Sequence, residues 1–444
     1  MSSSNQLFNN CEKIYVNGTQ LFIIFVVMKW MKYILVSCVV FFVACSNNTN
    51  PNENKNTELL VEGIWHLDFL LSSENILPIE FTLNKTDSIY EVEFSNAEEK
   101  ILVKDVKIEG KKITIKDDVF NSWFEGEIVS PTKIKGFWYK ENVTYKIPFE
   151  AIQGIKERFP KPENISNHQS NISGKWEVDF SKGTDDHYKA IGQFQQVDNY
   201  VTGTFMTETG DYRFLEGNMY NNNLYLSCFD GVHAFLFKAS FINGVLEGNF
   251  WSGTHWEEPF VAIRNENFEL TNPDSLTFLK KGFETVSFKL PNILGDSVSL
   301  TDGKYKGKVV IVNIMGPWCP NCKDETAYLT ELYKKYQTER LEIIALSFDK
   351  TDDFETSKNN IIKLQNHFKA DYEFLIAGKA SKIEAAKVLP MLNQIMSYPT
   401  SIFIDKKGKV RKIRTGFYGP GTGNYYKRYT EETEIFVKAL LKEK

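Results

Sequence analysis

The sequence has few cysteines and no excess of basic charge. It contains 6 Cys in 444 residues, which is too sparse for a fold held together by disulfides. Its net charge of −5 at pH 7 argues against a basic nucleic-acid-binding face, so we predict no nucleic-acid partner. Its 6 His include no pair at metal-ligand spacing such as H-x-x-x-H, and no nucleotide or flavin motif is present. We therefore expect neither a metal nor a cofactor.

The composition is that of a globular protein with several domains. Hydrophobic residues make up 42% and charged residues 25%, values that exclude a largely disordered chain. At about 100–200 residues per domain, 444 residues suggest two to four domains. Aromatic residues reach 14%, which favours a β-rich architecture.

The N-terminal region has the layout of a secretory signal peptide. Lys29 and Lys32 lie at the start of a short apolar run, residues 33–42, and small Ala44 directly precedes Cys45. The run is shorter than the roughly 20 apolar residues that a membrane-spanning helix needs. The pattern therefore favours a cleaved signal over a spanning helix.

This layout resembles the lipobox of bacterial lipoproteins, in which the signal is cut before a cysteine that is then acylated. The resemblance implies that residues 1–44 are removed and that acylated Cys45 binds a lipid membrane. Residues 1–27 lack the character of a signal start and are expected to precede the true start codon. Asn-rich residues 45–57 are predicted to form a tether. The alternative is an uncleaved anchor over residues 21–44, and either interpretation places the chain in the cell envelope, on the periplasmic side.

Two parts of the sequence resemble each other at a constant spacing. GIWHLDF at 63–69 aligns with GKWEVDF at 174–180, an offset of 174 − 63 = 111. PFEAI at 148–152 aligns with PFVAI at 259–263, again an offset of 111. Agreement at both ends predicts an internal repeat, with each copy forming one domain.

Each copy is predicted to be a small antiparallel β-barrel or meander. In the second copy, eight alternating runs are separated by Asn and Gly turns, which is the pattern of β-hairpins. The G-x-W entry resembles lipocalin-like barrels, whose interior could hold a ligand; alternatively, aromatic side chains fill the interior themselves. The predicted bounds are 58–153 for the first β domain, 154–171 for a linker, 172–264 for the second β domain, 265–284 for a second linker and 285–444 for a different, α/β domain.

The C-terminal part alternates strand and helix patterns around a C-x-x-C motif. A buried strand is predicted over 308–315, GPWCPNC follows at 316–322, and a helix is predicted from about 320 to 338. This order is typical of an α/β domain with one central sheet. A C-x-x-C beside a βαβ pattern indicates redox chemistry, and no second C-x-x-C exists to complete a zinc site.

Residues 285–444 resemble the thioredoxin-like disulfide reductases of the TlpA/ResA type. The matching features are strand–W-C-x-x-C–helix, Glu325 three residues after the second cysteine, and Tyr398-Pro399-Thr400 before a predicted hairpin. The resemblance implies a thioredoxin-like fold and a cis bond before Pro399. It also implies that the backbone of Tyr398 pairs with an extended substrate and that Trp318 forms a flat apolar contact beside the disulfide.

The two cysteines of the motif have different expected roles. Cys319 lies at the helix N-terminus, where free N–H groups and the helix dipole stabilise a thiolate. We expect Cys319 to attack a substrate disulfide and Cys322, one turn into the helix, to resolve the mixed disulfide. The oxidised enzyme would then hold a Cys319–Cys322 disulfide.

Glu325 is the third candidate catalytic residue. Thioredoxin has a buried acid six residues before its first cysteine, but this chain has Asn313 there, so a proton acceptor for Cys322 must come from elsewhere. Glu325 is the nearest carboxylate that the resemblance supports. The alternative is a solvated acid that only benefits from the helix dipole.

The predicted function is reduction of protein disulfides outside the cytoplasm, by a multi-domain chain of two lipocalin-like β units followed by a thioredoxin-like domain. The expected partners are a protein disulfide or thiol substrate and an upstream thiol electron donor in the membrane. One rival is a peroxiredoxin-like peroxidase, which would need Thr where the chain has Gly316. The other is a ligand- or partner-binding lipoprotein in which the β-barrels dominate.

Overall fold

In the computed structural model, which describes residues 60–87, 89–141, 143–165 and 170–444, a long all-β part precedes an α/β part. The predicted signal peptide, the tether and Cys45 lie outside these residues. Within the described ranges, no helix combines the length and the apolar character needed to cross a membrane.

The first β unit is one antiparallel sheet of nine strands in the order β4-β3-β2-β1-β9-β8-β7-β6-β5. Buried residues alternate with more exposed ones along most of its strands, and they gather in one apolar core inside a nearly closed barrel. Its strands are β1 (Gly63–Leu70), β2 (Ile76–Thr86), β3 (Ile89–Asn96), β4 (Glu99–Val103), β5 (Asp105–Glu109), β6 (Lys112–Lys116), β7 (Ser122–Ser130), β8 (Lys133–Lys140) and β9 (Ile147–Gln153).

The second β unit is also a nine-stranded antiparallel sheet, and pairing of β11 with β12 closes it into a barrel. The sequence predicts eight strands; the ninth, Gly210–Asp211, lies just before the predicted strand 212–220, which begins only at Leu215. Arg213 adopts a left-handed conformation, with φ of 61°, and breaks the strand before Leu215. The strands are β10 (Gly174–Phe180), β11 (Tyr188–Val197), β12 (Tyr200–Thr207), β13 (Gly210–Asp211), β14 (Leu215–Tyr220), β15 (Asn223–Phe229), β16 (Ala234–Ile242), β17 (Val245–Ser252) and β18 (Trp256–Arg264).

The first and last strands of the two barrels pair in the same way. Trp65 of β1 lies opposite Gln153 of β9, and Trp176 of β10 lies opposite Arg264 of β18, both 111 residues further along. Each tryptophan Nε1 also donates a 2.9 Å hydrogen bond to a carbonyl four residues earlier. Equivalent residues of the aligned segments therefore occupy equivalent places in the two sheets.

Aromatic side chains occupy the interior of both barrels. In the second barrel, the ring of Phe237 stacks on Phe205 at 4.6 Å and on Phe250 at 4.5 Å between centroids. In the first barrel, Phe69 packs against Phe124 and Trp138, each at 5.8 Å. Offset and edge-to-face pairs of this kind add stabilisation beyond the area they bury. Phe229 of the second barrel also enters the first core, with its ring 5.6 Å from that of Phe69. Both interiors are therefore filled by aromatic side chains of the chain itself.

The α/β part is built on a five-stranded sheet in the order β23-β22-β21-β24-β25, with β21 in the centre. Strands β21, β22 and β23 run parallel, and β24 and β25 form an antiparallel edge. The strands are β19 (Lys289–Pro291), β20 (Ser297–Ser299), β21 (Val309–Met315), β22 (Leu341–Asp349), β23 (Glu373–Lys379), β24 (Thr400–Ile404) and β25 (Val410–Thr415), and the helices are α1 (Pro320–Tyr336), α2 (Phe354–Phe368), α3 (Lys382–Val388) and α4 (Asn424–Lys442).

Central strand β21 is buried along its whole length, as its sequence, apolar except for Asn313, predicts. It leads directly into the N-terminus of α1, so the C-x-x-C motif lies at the carboxyl edge of the parallel strands. Val119 and Phe120 of the first β unit and Val232 of the second belong to the same apolar cluster as Cys319 and Cys322. Both barrels therefore pack against the edge of the sheet where the cysteines lie.

Candidate active site

The motif cysteines lie at the N-terminus of α1, as the sequence predicts. Cys319 is the N-cap of the helix, and Pro320 occupies the first helical position, where its missing N–H costs nothing. The backbone N–H of Cys322 donates to Sγ of Cys319 at 3.3 Å. The helix N-terminus therefore already directs one of its free N–H groups at this sulfur.

Cys322 lies deeper than Cys319 and is completely buried. Burial, followed by the hydrogen bond with Cys319, raises the pKa of the Cys322 thiol well above its ordinary value. Both cysteines are free thiols in this structure, which therefore holds the dithiol state. The Cys319–Cys322 disulfide predicted for the oxidised state stays a prediction.

The segment around Pro399 lies next to the attacking sulfur. The Tyr398–Pro399 peptide bond is cis, as the resemblance implies. The Cys319 thiol donates to the carbonyl oxygen of Tyr398 at 3.3 Å. In the dithiol state this carbonyl is therefore occupied by the enzyme's own thiol, and a substrate chain pairing there would replace that contact.

Trp318 lies beside the motif as a partly buried side chain. Its Nε1 donates to the Phe348 carbonyl at 3.0 Å, its ring meets the Tyr398 ring edge-on at 5.7 Å, and Lys350 Nζ lies 4.9 Å from the ring centroid. A Cβ on Gly316 would lie 2.5 Å from Nε1 of Trp318. The threonine that a peroxiredoxin site needs there does not fit beside this tryptophan.

Glu325 is a buried acid, with a residue exposure of 1%, and not a solvated one. Its Oε1 accepts hydrogen bonds from the hydroxyls of Tyr429 at 2.6 Å and Ser401 at 3.0 Å, and its Oε2 accepts one from Asn313 Nδ2 at 2.6 Å. Burial raises the pKa of Glu325 despite these three donors. The Glu325 charge is in turn one of the influences that raise the pKa of Cys322, so the two groups interact electrostatically.

Sequence reasoning missed two of the partners of Glu325. Tyr429 lies on α4, 104 residues further along the chain, and Ser401 lies on β24, 76 residues away. No local motif connects these positions to the C-x-x-C. The sequence did point to Asn313, because this residue occupies the position where thioredoxin has its buried acid. In the structure its amide donates to Glu325.

A buried ion cluster next to the motif also escaped prediction. The Arg213 guanidinium pairs with Asp324, in the second turn of α1, and with Glu99 of the first β unit. It also approaches the Pro320 carbonyl at 3.5 Å. Burial raises the pKa of Asp324, and the charge of Arg213 opposes that rise. One arginine therefore connects both barrels to the helix that carries the cysteines.

A cavity of about 230 Å³ opens beside Cys319. Its walls come from Trp318 and Tyr398 of the α/β part and from Asp230, His233 and Phe235 of the second barrel. Among the described residues, no group of three or more His, Cys, Asp or Glu side chains is arranged to hold a metal ion.

Comparison with known proteins places the similarity in the C-terminal part. The family model described as the AhpC/TSA family matches residues 282–413. Thiol-disulfide oxidoreductase ResA of Geobacillus thermodenitrificans (strain NG80-2) is 34% identical over 140 residues, 32% of this chain and 72% of that protein. ResA of Bacillus thuringiensis subsp. konkukian (strain 97-27) is 35% identical over 129 residues, 29% of this chain and 66% of that protein. The resemblance that the sequence predicts for this part is confirmed.

The crystal structure of a putative thiol:disulfide interchange protein DsbE from Chlorobium tepidum is 24% identical and covers 37% of this chain and 99% of its own, with a TM-score of 0.28.

Proposed function

The chain belongs to the ResA-type thiol-disulfide oxidoreductases of the thioredoxin fold, and we propose that it acts as a reductase of protein disulfides through Cys319 and Cys322. One observation carries this proposal. Cys319 caps the helix and accepts the Cys322 N–H, while Cys322 is buried behind it. The first sulfur is poised for attack and the second is protected until a mixed disulfide forms.

In the proposed cycle, the Cys319 thiolate attacks one sulfur of a substrate disulfide. A Cys319–substrate disulfide forms, the substrate S–S bond breaks, and the other substrate sulfur leaves as a thiolate. Cys322 then loses its proton and attacks Sγ of Cys319, which releases the second substrate thiolate and leaves the Cys319–Cys322 disulfide. The substrate has gained two electrons and takes up two protons. An external dithiol restores the enzyme and is itself oxidised to a disulfide.

Glu325 is the group we propose for the proton of Cys322. A buried thiol does not ionise readily, because desolvation favours its neutral form. A carboxylate with a pKa raised by burial can take up that proton in the resolving step. We propose Trp318, Tyr398 and Pro399 as the surface that contacts the substrate next to Cys319.

The residues between the cysteines support the proposed direction of the reaction. Pro320 and Asn321 provide no positive side chain there, whereas strongly oxidising pairs need heavy stabilisation of the thiolate. We expect a reduction potential nearer to the thioredoxin value of about −270 mV than to the oxidant value of about −120 mV. Equilibration of the full chain with glutathione buffers measures it. A potential above about −180 mV would assign an oxidase or isomerase instead.

The remaining parts of the proposal concern location and architecture. The signal-like N-terminus supports an envelope protein anchored through acylated Cys45 and re-reduced by a thiol donor in the membrane. The shared strand pairing and tryptophan hydrogen bonds, 111 residues apart, support two lipocalin-like β domains that arose by duplication, 58–153 and 172–264, before the thioredoxin-like domain, 285–444. The aromatic cores of these barrels do not favour a ligand-binding role for their interiors.

A further inference from the structure

The attacking cysteine is nearly buried. Cys319 is only 6% exposed. The cover includes a hairpin of the second barrel, formed where Met206 and Thr207 pair with Asp211 and Gly210. We call residues 207–213 the covering hairpin.

The covering hairpin contacts the loops that surround Cys319. The Ser397 hydroxyl, two residues before the cis proline, donates to the Thr209 carbonyl at 2.8 Å. The backbone N–H of Gly419 donates to Asp211 at 2.7 Å. The hairpin therefore lies on the Tyr398 side of the motif, which is the side where we expect a substrate chain to pair.

The hairpin also lies against the motif itself. A Cβ on Gly210 would lie 2.0 Å from Nδ2 of Asn321, a residue between the two cysteines. At the end of the hairpin, the buried pairs of Arg213 with Asp324 and Glu99 hold it against α1. An arginine with two buried carboxylate partners is costly to separate from them, because each charge would be left uncompensated.

The cavity beside Cys319 is small. The cavity there measures about 230 Å³, below the range of roughly 300–1,000 Å³ that pockets for drug-sized ligands occupy. Two of its walls, the covering hairpin and the 230–235 segment, belong to the second barrel. A disulfide on the surface of a folded protein would have to pass these walls to reach Sγ of Cys319.

We propose that the covering hairpin sets the substrate size of this enzyme. With the hairpin in place, Cys319 accepts small disulfides, or disulfides on narrow chain termini. Disulfides on the surface of folded proteins react only after the hairpin has moved. This inference rests on the proposed function, because it concerns which disulfides reach the same cysteine, and it makes residues 207–213 specificity-determining.

The test compares two reagents with the same reactive group on the reduced, full-length protein. One is N-ethylmaleimide, and the other is a maleimide held by a short linker on a small folded carrier protein. Each forms a thioether at Cys319, and the thiol proton ends on the adjacent maleimide carbon, so no redox partner is needed. Peptide mapping assigns the label to Cys319, and the rate ratio of small to large reagent is compared with the ratio for a free peptide thiol.

A matched pair of glycine variants isolates the hairpin. A Cβ on Gly421 would lie 2.9 Å from the Arg213 backbone, so Gly421→Leu forces the covering hairpin away. A Cβ on Gly303 meets nothing within 4 Å, and Gly303 also lies in a short 3-10 turn, so Gly303→Leu is the control. Arg213→Gln provides a second way to release the hairpin if Gly421→Leu fails to fold.

We expect the wild-type ratio to exceed that of the free thiol by about ten-fold or more, because labelling of a covered group follows the population of its open state. The ratio should fall towards the free-thiol value in Gly421→Leu or Arg213→Gln and stay at the wild-type value in Gly303→Leu. A wild-type ratio equal to that of the free thiol, or a ratio unchanged in a folded releasing variant, would overturn the inference. Neither result depends on turnover, so the proposed reductase function stands or fails separately.

Discussion

Substitution of Glu325 by glutamine separates its catalytic role from its structural one. The carboxylate accepts from three donors, the hydroxyls of Tyr429 and Ser401 and the amide of Asn313. Glutamine keeps the shape but replaces one oxygen by an NH₂ group that faces a donor. The side chain can then no longer take a proton from Cys322.

The structural cost of Glu325→Gln follows from these contacts. One buried donor left without an acceptor costs about 1–3 kcal/mol. Rotation of the Asn313 amide would reduce this cost, because its Oδ1 has no hydrogen-bond partner among the described residues and could accept from the new NH₂. A domain with an unfolding free energy of about 5–15 kcal/mol tolerates such a loss. We therefore expect a folded variant whose Cys319 still reacts with small alkylating agents.

The kinetic cost should fall on resolution alone. Loss of general acid–base help typically slows a step by about 10²-fold or more, so the mixed disulfide on Cys319 should accumulate while attack keeps its rate. Stopped-flow mixing with a small peptide disulfide, followed by acid quenching and mass analysis, resolves the two phases. Glu331→Gln is the matched control, because Glu331 is an exposed acid on the same helix and pairs with Lys334.

The pH profile provides a second readout. Burial raises the pKa of Glu325, and only the ionised carboxylate can accept a proton, so wild-type resolution should slow as the pH falls through that raised pKa. The variant should lack this inflection. If both phases and the pH profile of Glu325→Gln match wild type, Glu325 is a structural acid and the proton of Cys322 leaves by another route.

Two further predictions concern the ion cluster and the anchor. Arg213→Met leaves the carboxylates of Glu99 and Asp324 buried without a counter-charge, which should lower the free energy of unfolding by about 3–5 kcal/mol in urea titrations at neutral pH. Burial already raises the pKa of Asp324, and removal of Arg213 raises it further. The folded variant then binds a proton more readily than the unfolded chain, so the loss of unfolding free energy should shrink as the pH falls. An equal loss at every pH would contradict this. Mass analysis of the mature N-terminus should find Cys45 carrying more than one acyl group, since a single acyl group binds a membrane only marginally. An unmodified terminus upstream of residue 28 would contradict this prediction.

The sequence predicted those features that depend on local pattern. Alternation and Asn-Gly turns placed the strands of the second barrel within one or two residues, apart from the predicted strand 212–220. The largely apolar run before the C-x-x-C predicted the central strand, and the motif predicted the helix that begins at Pro320. These signals are strong because side-chain period and helix-start chemistry are properties of neighbouring residues.

What escaped prediction depends on contacts between distant segments. Arg213 was read as part of a continuous strand, because nothing in its neighbourhood reveals that Glu99 and Asp324 lie 114 and 111 residues away in sequence and next to it in space. The cover over Cys319 belongs to the same class, since it exists only once the second barrel has packed on the α/β part. The pattern of one domain carries no information about which loop of another will lie on it.

The most direct test of the account is the identity of the cysteine that forms the mixed disulfide. Full-length Cys322→Ser and Cys319→Ser variants are incubated, reduced, with a small peptide disulfide, and the adducts are mapped by mass spectrometry. We expect a stable peptide adduct on Cys319 in the Cys322→Ser variant and none in the Cys319→Ser variant. An adduct on Cys322, or no adduct in either variant, would contradict the assignment of Cys319 as the attacking thiol and Cys322 as the resolving one.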